Sequence, residues 1–326
     1  MFFSGWFFPA QCVTHLHMKT VNRRKFVQQM CIGAGVAGLM PLAAIEPFKR
    51  AGQPRMALSL AAYSFRNFFK GAPAQAGQQA GAPRQLDMMG FVDYCAEQGL
   101  AGAEVTSYYF PKPLSNEYLL ELRRHAFLRG ISISGTAVGN NFARPKGDAL
   151  SREIASVKEW IDKAAVMGAP HIRIFAGPVP KDISKAEAVR NCIEAIEEAC
   201  EYAGQKGVML GLENHGGIVE TAAELLAIVK AVKSPWFGVN LDTGNFHSED
   251  PYRELEECAP YAVNVQVKVE VRRKGAARAE PSDLPRLVKI LRAVNYQGYV
   301  ALEYEAAEDP WQAVPRWLGK LKEALA

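Results

Sequence analysis

Carboxylates and carboxamides interrupt four short apolar segments in the second half of this 326-residue chain. The residues concerned are Glu213, Asp242, Gln266 and Glu303. A charged group inside an apolar strand is costly unless a cation or hydrogen-bond donors compensate it. Two Glu, one Asp and one Gln also form an oxygen-rich set. Such a set favours a hard divalent cation, Mn²⁺ or Mg²⁺, with Co²⁺ and Zn²⁺ as alternatives.

The same carboxylates have a purely structural interpretation, in which no ion is involved. They can pair with Arg173 and Lys268 or cap loops. A single strand end of this kind would favour that interpretation. Because four consecutive segments share the pattern, we favour a metal site.

The elements that must position these residues alternate regularly from Met56 to Leu325. Short apolar runs predict eight strands, and amphipathic segments between them predict eight helices. Alternation predicts parallel strands with crossover helices. With eight units and no dinucleotide glycine fingerprint, the fold class predicted is α/β, a single (β/α)₈ TIM barrel. In that fold, catalytic groups lie at the C-terminal ends of strands, where predicted strands five to eight carry the four residues.

Three other polar residues of predicted strands have structural interpretations. We expect Glu104 and Arg173 to point into the barrel and to pair with each other below the site. His171 begins its strand at the far end from the barrel mouth, and we interpret it as structural. The segment Lys70 to Arg84 is rich in Gly, Ala, Pro and Gln. It predicts a loop at the barrel mouth, either a lid or a simple insertion.

Several stretches resemble the xylose isomerase-like TIM-barrel superfamily, in its sugar phosphate isomerase/epimerase branch. The resemblance covers the chain from Met56 to its end. The stretches are Leu212-Glu213-Asn214-His215, Val239-Asn240-Leu241-Asp242-Thr243-Gly244-Asn245, Val265-Gln266-Val267-Lys268 and Leu302-Glu303-Tyr304-Glu305.

This resemblance implies a metal held by Glu213, Asp242, the residue of the seventh strand and Glu303. The chain departs from the family pattern at that seventh-strand position, where Gln266 replaces the usual His. A Gln carbonyl oxygen still suits a hard ion, but it favours imidazole-liking metals less.

The activity implied is that of a divalent-metal-dependent sugar isomerase or epimerase that transfers a proton through an enediolate. By resemblance, Glu213 and Glu303 are catalytic acid and base as well as ligands, and Lys268 stabilises an oxyanion or holds a substrate hydroxyl. The candidate substrate contacts are His215, His247, Asn240 and Glu305. For each histidine, a plain loop residue is the alternative.

Three other functions compete with this prediction. A lyase acting on 3-keto sugars or glycosides would use the same metal site, since elimination also begins with proton removal beside a carbonyl. A non-catalytic periplasmic sugar-binding barrel would not need paired acid and base groups. An endonuclease IV-like DNA repair enzyme needs a His-rich zinc site and a basic surface, which this sequence lacks. We therefore predict a small-molecule carbohydrate as partner and no nucleic acid.

The beginning of the chain predicts an export signal. Arg23 and Arg24 precede an uncharged, Gly/Ala-rich run from Met30 to Ala44, as in a twin-arginine signal. The run is too short and too Gly-rich for a stable membrane span. We predict that the true start is Met18 and that the protein is exported to the periplasm.

The charge pattern agrees with this division of the chain. The formal net charge is +4, from 38 Lys and Arg against 34 Asp and Glu. Four of the basic residues precede Ile45, so the remaining chain has 38 − 4 = 34 of each sign. We assign residues 1–44 to the export signal and 45–326 to the TIM-barrel catalytic domain. The four basic residues of the export signal are Lys19, Arg23, Arg24 and Lys25. For the barrel domain, a homo-oligomer is compatible with this sequence.

Overall fold

The computed structural model describes residues 45–70 and 85–326. The predicted export signal lies outside these described residues, and so does almost all of the predicted loop between residues 70 and 84. Both therefore stay predictions. Among the described residues, no helix is long and apolar enough to cross a membrane.

Eight parallel strands form a closed barrel, which confirms the predicted (β/α)₈ fold. Each strand pairs with its sequence neighbours, and the first pairs with the last. The strands are buried along most of their length, because they face packed side chains inside and helices outside. They are β1 Arg55–Ala61, β2 Gly102–Thr106, β3 Ser132–Ala137, β4 His171–Ile174, β5 Met209–Glu213, β6 Phe237–Asp242, β7 Ala262–Val267 and β8 Gln297–Leu302.

Helices follow the strands in strict alternation. Thr221 and Glu224 form the predicted capping box at the start of the fifth helix. Gly168 and Gly207 end the third and fourth helices in the left-handed conformation. The helices are α1 Met88–Glu97, α2 Asn116–Leu128, α3 Asp148–Met167, α4 Lys185–Lys206, α5 Ala222–Ala231, α6 Pro251–Cys258, α7 Leu284–Ala293 and α8 Pro310–Leu325.

The loop between β7 and α7 contains a short antiparallel ribbon that the alternation pattern did not predict. It pairs Glu270–Val271 with Glu280–Pro281. Glu270 of the ribbon lines a cavity together with Lys268 and Glu305. The four cysteines of the described chain are free and buried, as the composition predicted, and they are Cys95, Cys192, Cys200 and Cys258.

Close packing inside the barrel is most severe at Gly135 of β3. A Cβ added there would lie 1.8 Å from Cε1 of His171, a buried ring. We expect Gly135→Ala to destabilise the fold by about 3 kcal/mol, since overpacking a core forces backbone shifts. The matched control is Gly319→Ala in α8, where a Cβ meets nothing within 4 Å. Urea denaturation should show the control unchanged or more stable by up to about 1 kcal/mol. Equal stability of the two variants would contradict this packing.

Candidate active site at the barrel mouth

Glu213 ends β5 at the barrel mouth, where Arg173 of the neighbouring β4 reaches it. Nε of Arg173 lies 2.9 Å from Oε2 of Glu213. The other carboxylate oxygen accepts a hydrogen bond of 2.9 Å from Nδ2 of Asn245. The guanidinium also lies over the ring of Phe175, 3.9 Å from its centroid. The expected pairing of Arg173 with Glu104 is thus wrong, because Arg173 instead holds the carboxylate at the end of the adjacent strand.

Lys268 occupies the centre of the other half of the mouth. Its Nζ lies 2.6 Å from Oε2 of Glu303 and 3.3 Å from Oδ2 of Asp242, and it also contacts Glu305. The side chain is only 10% exposed. One ammonium therefore forms ion pairs with three carboxylates at the ends of β6 and β8.

The stem of Lys268 is fixed by the segment that follows β6. Its backbone N–H donates to Oγ1 of Thr243 at 2.9 Å. A Cβ on Gly244 would lie 2.7 Å from Cβ of Lys268, so this position has room only for glycine. The Lys268 carbonyl accepts a hydrogen bond from the Ser282 hydroxyl at 2.7 Å.

Asn214 joins the ends of β5 and β6 after their ladder has stopped. Its Nδ2 donates to the Asp242 carbonyl, and its Oδ1 accepts from the Asp242 N–H, both at 2.9 Å. This two-point contact is fully buried. Because Asn214 directly follows Glu213, this contact fixes the position of Asp242 relative to Glu213 along the barrel axis.

A closed ring of hydrogen bonds lies one layer deeper. Nδ2 of Asn240 donates to Oε1 of Gln266 at 2.6 Å, and Nε2 of Gln266 donates to Oε1 of Glu104 at 2.5 Å. Nδ2 of Asn264 completes the ring with bonds to Glu104 and Asn240. The side-chain amide nitrogen and oxygen of Gln266 and of Asn240 therefore all form hydrogen bonds within this ring, below the mouth. Neither presents a free amide to a ligand or substrate in this arrangement.

His171 lies beside this ring, with Nε2 3.9 Å from Oε2 of Glu104. Burial lowers the pKa of His171 to about 4 and raises that of Glu104 to about 7. A depressed histidine pKa favours folding above the unfolded value of about 6.5. That contribution is lost as the pH falls from about 6.5 toward 4.

We expect His171→Gln to flatten the acid limb of the stability curve. Between pH 6.5 and 4, wild type should lose about 3 kcal/mol more stability than the variant, since in wild type the unfolded chain's imidazole gains a proton that the buried ring does not take up above about pH 4. Urea titrations across this range measure the difference. Parallel curves for the two proteins would show that His171 does not titrate as described.

The carboxylates of the mouth have different pKa shifts. Burial raises the pKa of Glu213 to about 7 despite Arg173, and the charge of Glu303 adds to the increase. Burial also acts on Glu303, but Lys268 outweighs it and lowers that pKa. Each glutamate has its own cation, as the structural interpretation of the sequence expected. Their charges nevertheless act on each other, so they belong to one buried cluster.

The remaining candidate substrate contacts lie around the rim. His215 packs on Phe175 with ring centroids 4.5 Å apart. His247 lines a cavity of about 210 Å³ together with Lys268 and Glu305, and its Nδ1 contacts the Arg272 carbonyl. The structure thus brings five predicted residues together and leaves Gln266 and Asn240 beneath them. The five are Glu213, Asp242, Lys268, Glu303 and Glu305.

The donor chemistry of this cluster fits a hard divalent cation. Three carboxylates end or follow neighbouring or nearby strands, and the buried Oδ2 of Asp242 has the Lys268 ammonium 3.3 Å away but no hydrogen bond. In the part of the chain described, however, no three His, Cys, Asp or Glu side chains are arranged to hold one ion. Arg173 and Lys268 instead each contact carboxylates of the cluster. The donors are suitable, and two cations already neutralise them in part.

Asn214 and Asn245 are contributors that sequence reasoning did not single out, whereas Arg173 was named as a carboxylate partner in the structural interpretation. Both asparagines stand in the stretches that carried the family resemblance. Their polar side chains, close in sequence to Glu213 and Asp242, were the available signal.

A family model described as the xylose isomerase-like TIM barrel matches residues 92–321. The chain belongs to this family. Among characterised proteins, the 3-oxo-isoapionate decarboxylase of Pectobacterium atrosepticum is 25% identical over 215 residues, which are 65% of this chain and 68% of that protein.

Solved structures show the same fold at low identity. D-psicose 3-epimerase from Clostridium cellulolyticum H10 with D-tagatose gives a TM-score of 0.66 at 17% identity, covering 83% of this chain and 99% of that chain. The IolI protein with a bound zinc atom gives a TM-score of 0.64 at 16% identity, covering 82% and 96%.

Proposed function

We propose that this barrel is a carbohydrate isomerase or epimerase that moves a proton on a carbon beside a carbonyl group. One observation carries the proposal. Glu213 ends β5, and Glu303 follows β8. Both lie at the same buried mouth, and each is held by its own cation. Two carboxylates held separately can approach one carbon from two directions, as proton removal and return require.

The roles of the residues follow from their contacts. One of Glu213 and Glu303 removes the proton, and the other returns it. Lys268 lies beside Glu303 and donates to the oxygen on which negative charge develops. Asn245 and Arg173 hold the Glu213 carboxylate in one orientation. The buried mouth excludes water, which strengthens each of these interactions.

A divalent cation is part of this proposal, supported by the oxygen donors of the cluster and by the zinc atom in the IolI structure. Glu213, Asp242 and Glu303 would hold it, and it would supply Lewis-acid stabilisation of the enediolate. Gln266 would be a fourth ligand only after its amide had left the hydrogen-bonded ring below.

The second candidate is a lyase, favoured by the similarity to 3-oxo-isoapionate decarboxylase. Cleavage beside a carbonyl also passes through an enediolate or enolate and needs the same oxyanion stabilisation.

We also propose that residues 1–44 direct export, so that the enzyme meets free sugars or glycosides. Expression with Arg23 and Arg24 both changed to Lys should retain the protein in the cytoplasm, and unchanged export would contradict that proposal.

The experiment that tests the reaction class is a substrate survey. The purified barrel is incubated with Mn²⁺ or Mg²⁺ and with ketoses, aldoses, 3-keto glycosides and 3-oxo sugar acids. The proposal expects epimeric or isomeric products of unchanged mass. Loss of carbon dioxide or of an aglycone would favour the lyase. Binding without any product would favour a sugar-binding barrel.

A further inference from the structure

The structure places a protein ammonium among the carboxylates assigned to a metal ion. We propose that Lys268 is a built-in cation that competes with a divalent ion for Asp242 and Glu303. The proposal rests on the metal-dependent function above. It adds that the metal-free mouth has its own cation and that metal binding moves Lys268 away.

The charges at the mouth show why such a cation is needed. Glu213, Asp242 and Glu303 are at most 5% exposed, so water screens them poorly. Arg173 forms an ion pair with Glu213, and Lys268 forms ion pairs with Asp242 and Glu303. Without Lys268, two adjacent buried carboxylates would face each other with no cation beside them, which is strongly unfavourable.

The position of Lys268 is built by several contacts of its own. Thr243, Ser282 and Gly244 fix its backbone and the root of its side chain. The long, flexible end of a lysine can still move while its stem stays fixed. These contacts direct the ammonium at Asp242 and Glu303 and leave its last bonds free.

Glu305 provides the place to which the ammonium can withdraw. It contacts Nζ but is exposed, with 37% of its side chain accessible, whereas Glu303 is buried. A divalent ion at Asp242 and Glu303 would repel the ammonium, which can keep Glu305 as its partner at the rim. Lys268, now beside the rim cavity, would face the substrate rather than the ligands.

Two measurements without substrate test this competition. The first is the Mn²⁺ affinity of wild type, Lys268→Met and the control Lys274→Met, measured by calorimetry. Lys274 is an exposed lysine of the same loop. We expect Lys268→Met to bind Mn²⁺ at least tenfold more tightly and to melt at lower temperature without the ion. The control should match wild type.

The second measurement is amine labelling of the wild-type protein with acetic anhydride, read by mass spectrometry. Saturating Mn²⁺ should increase the labelling of Lys268 severalfold and leave Lys274 unchanged. This readout remains informative if Lys268→Met does not fold without metal. Labelling of Lys268 that is unchanged by the ion would overturn the proposal.

Equal Mn²⁺ affinities of wild type and Lys268→Met would also overturn it, and so would the absence of Mn²⁺ binding by both proteins. These results are independent of the reaction class, because no substrate is present. Failure of the proposed isomerase function appears instead in the product survey, with the metal isotherms unaffected.

Discussion

Glu303→Gln is expected to reduce turnover by roughly 10³-fold, which is the usual scale for losing a positioned acid or base. The amide keeps the size of the side chain but cannot accept a proton. It also leaves Lys268 with a neutral partner at the 2.6 Å contact. Glu213→Gln should cause a comparable loss, since the second proton transfer fails. The measurement is kcat on the substrate that the survey identifies.

The matched control for both variants is Glu308→Gln. Glu308 follows β8 in the same loop, but it is exposed and paired with Arg316. The control removes the same charge outside the mouth, and kcat should stay within about twofold of wild type. Similar losses for Glu308 and Glu303 variants would show that net charge, rather than a positioned carboxylate, controls the rate.

Arg173→Met is expected to destabilise the protein by about 3–5 kcal/mol at pH 8, because it leaves Glu213 buried without a cation. Arg173 is itself only 5% exposed, so water cannot replace it. The loss should shrink as the pH falls. Without Arg173 the pKa of Glu213 rises further above about 7, and protonation then removes the unpaired charge.

The double variant Arg173→Met/Glu213→Gln gives this prediction its control. Removing the carboxylate charge as well should restore most of the stability, with a coupling energy of about 2 kcal/mol or more in the double-mutant cycle. Urea denaturation at pH 8 and pH 6 measures all four proteins. Additive losses would mean that the two side chains do not interact as the 2.9 Å contact indicates.

The barrel was predictable because each unit repeats the same signals. Strand-length apolar runs alternate with amphipathic segments, several of which stop at a glycine such as Gly168 or Gly207. These are local properties of the chain. The ribbon of Glu270–Val271 was not predictable, because two paired residues on each side leave no periodicity to detect.

The candidate site was predictable only in part, for a geometric reason. The ends of the predicted strands placed Glu213 and Asp242 at the barrel mouth, and alternation along a strand shows which residues point inward. It does not show at which height a long side chain ends. Gln266 points inward as expected, but Glu104, 162 residues earlier in the chain, draws its amide downward. Such contacts across the barrel depend on packing that the local sequence does not encode.

The sequence alone did not decide between two possible partners of Arg173, for a similar reason. Both Glu104 and Glu213 were inward carboxylates, and the choice between them depends on neighbouring strand order and register. In the barrel, β4 lies directly beside β5, and Arg173 is in register with Gly211, two residues before Glu213. The arginine therefore reaches the end of the adjacent strand rather than the ring below.

Exchange of a substrate C–H hydrogen with solvent tests the central claim most directly. The barrel is incubated in D₂O with the substrate found in the survey, and proton NMR follows the C–H beside the carbonyl. The account predicts loss of that signal with wild type and Glu308→Gln, and retention with Glu213→Gln and Glu303→Gln. Product formation by wild type with the C–H proton fully retained, or equal exchange by the Glu303 variant, would contradict proton transfer by these carboxylates.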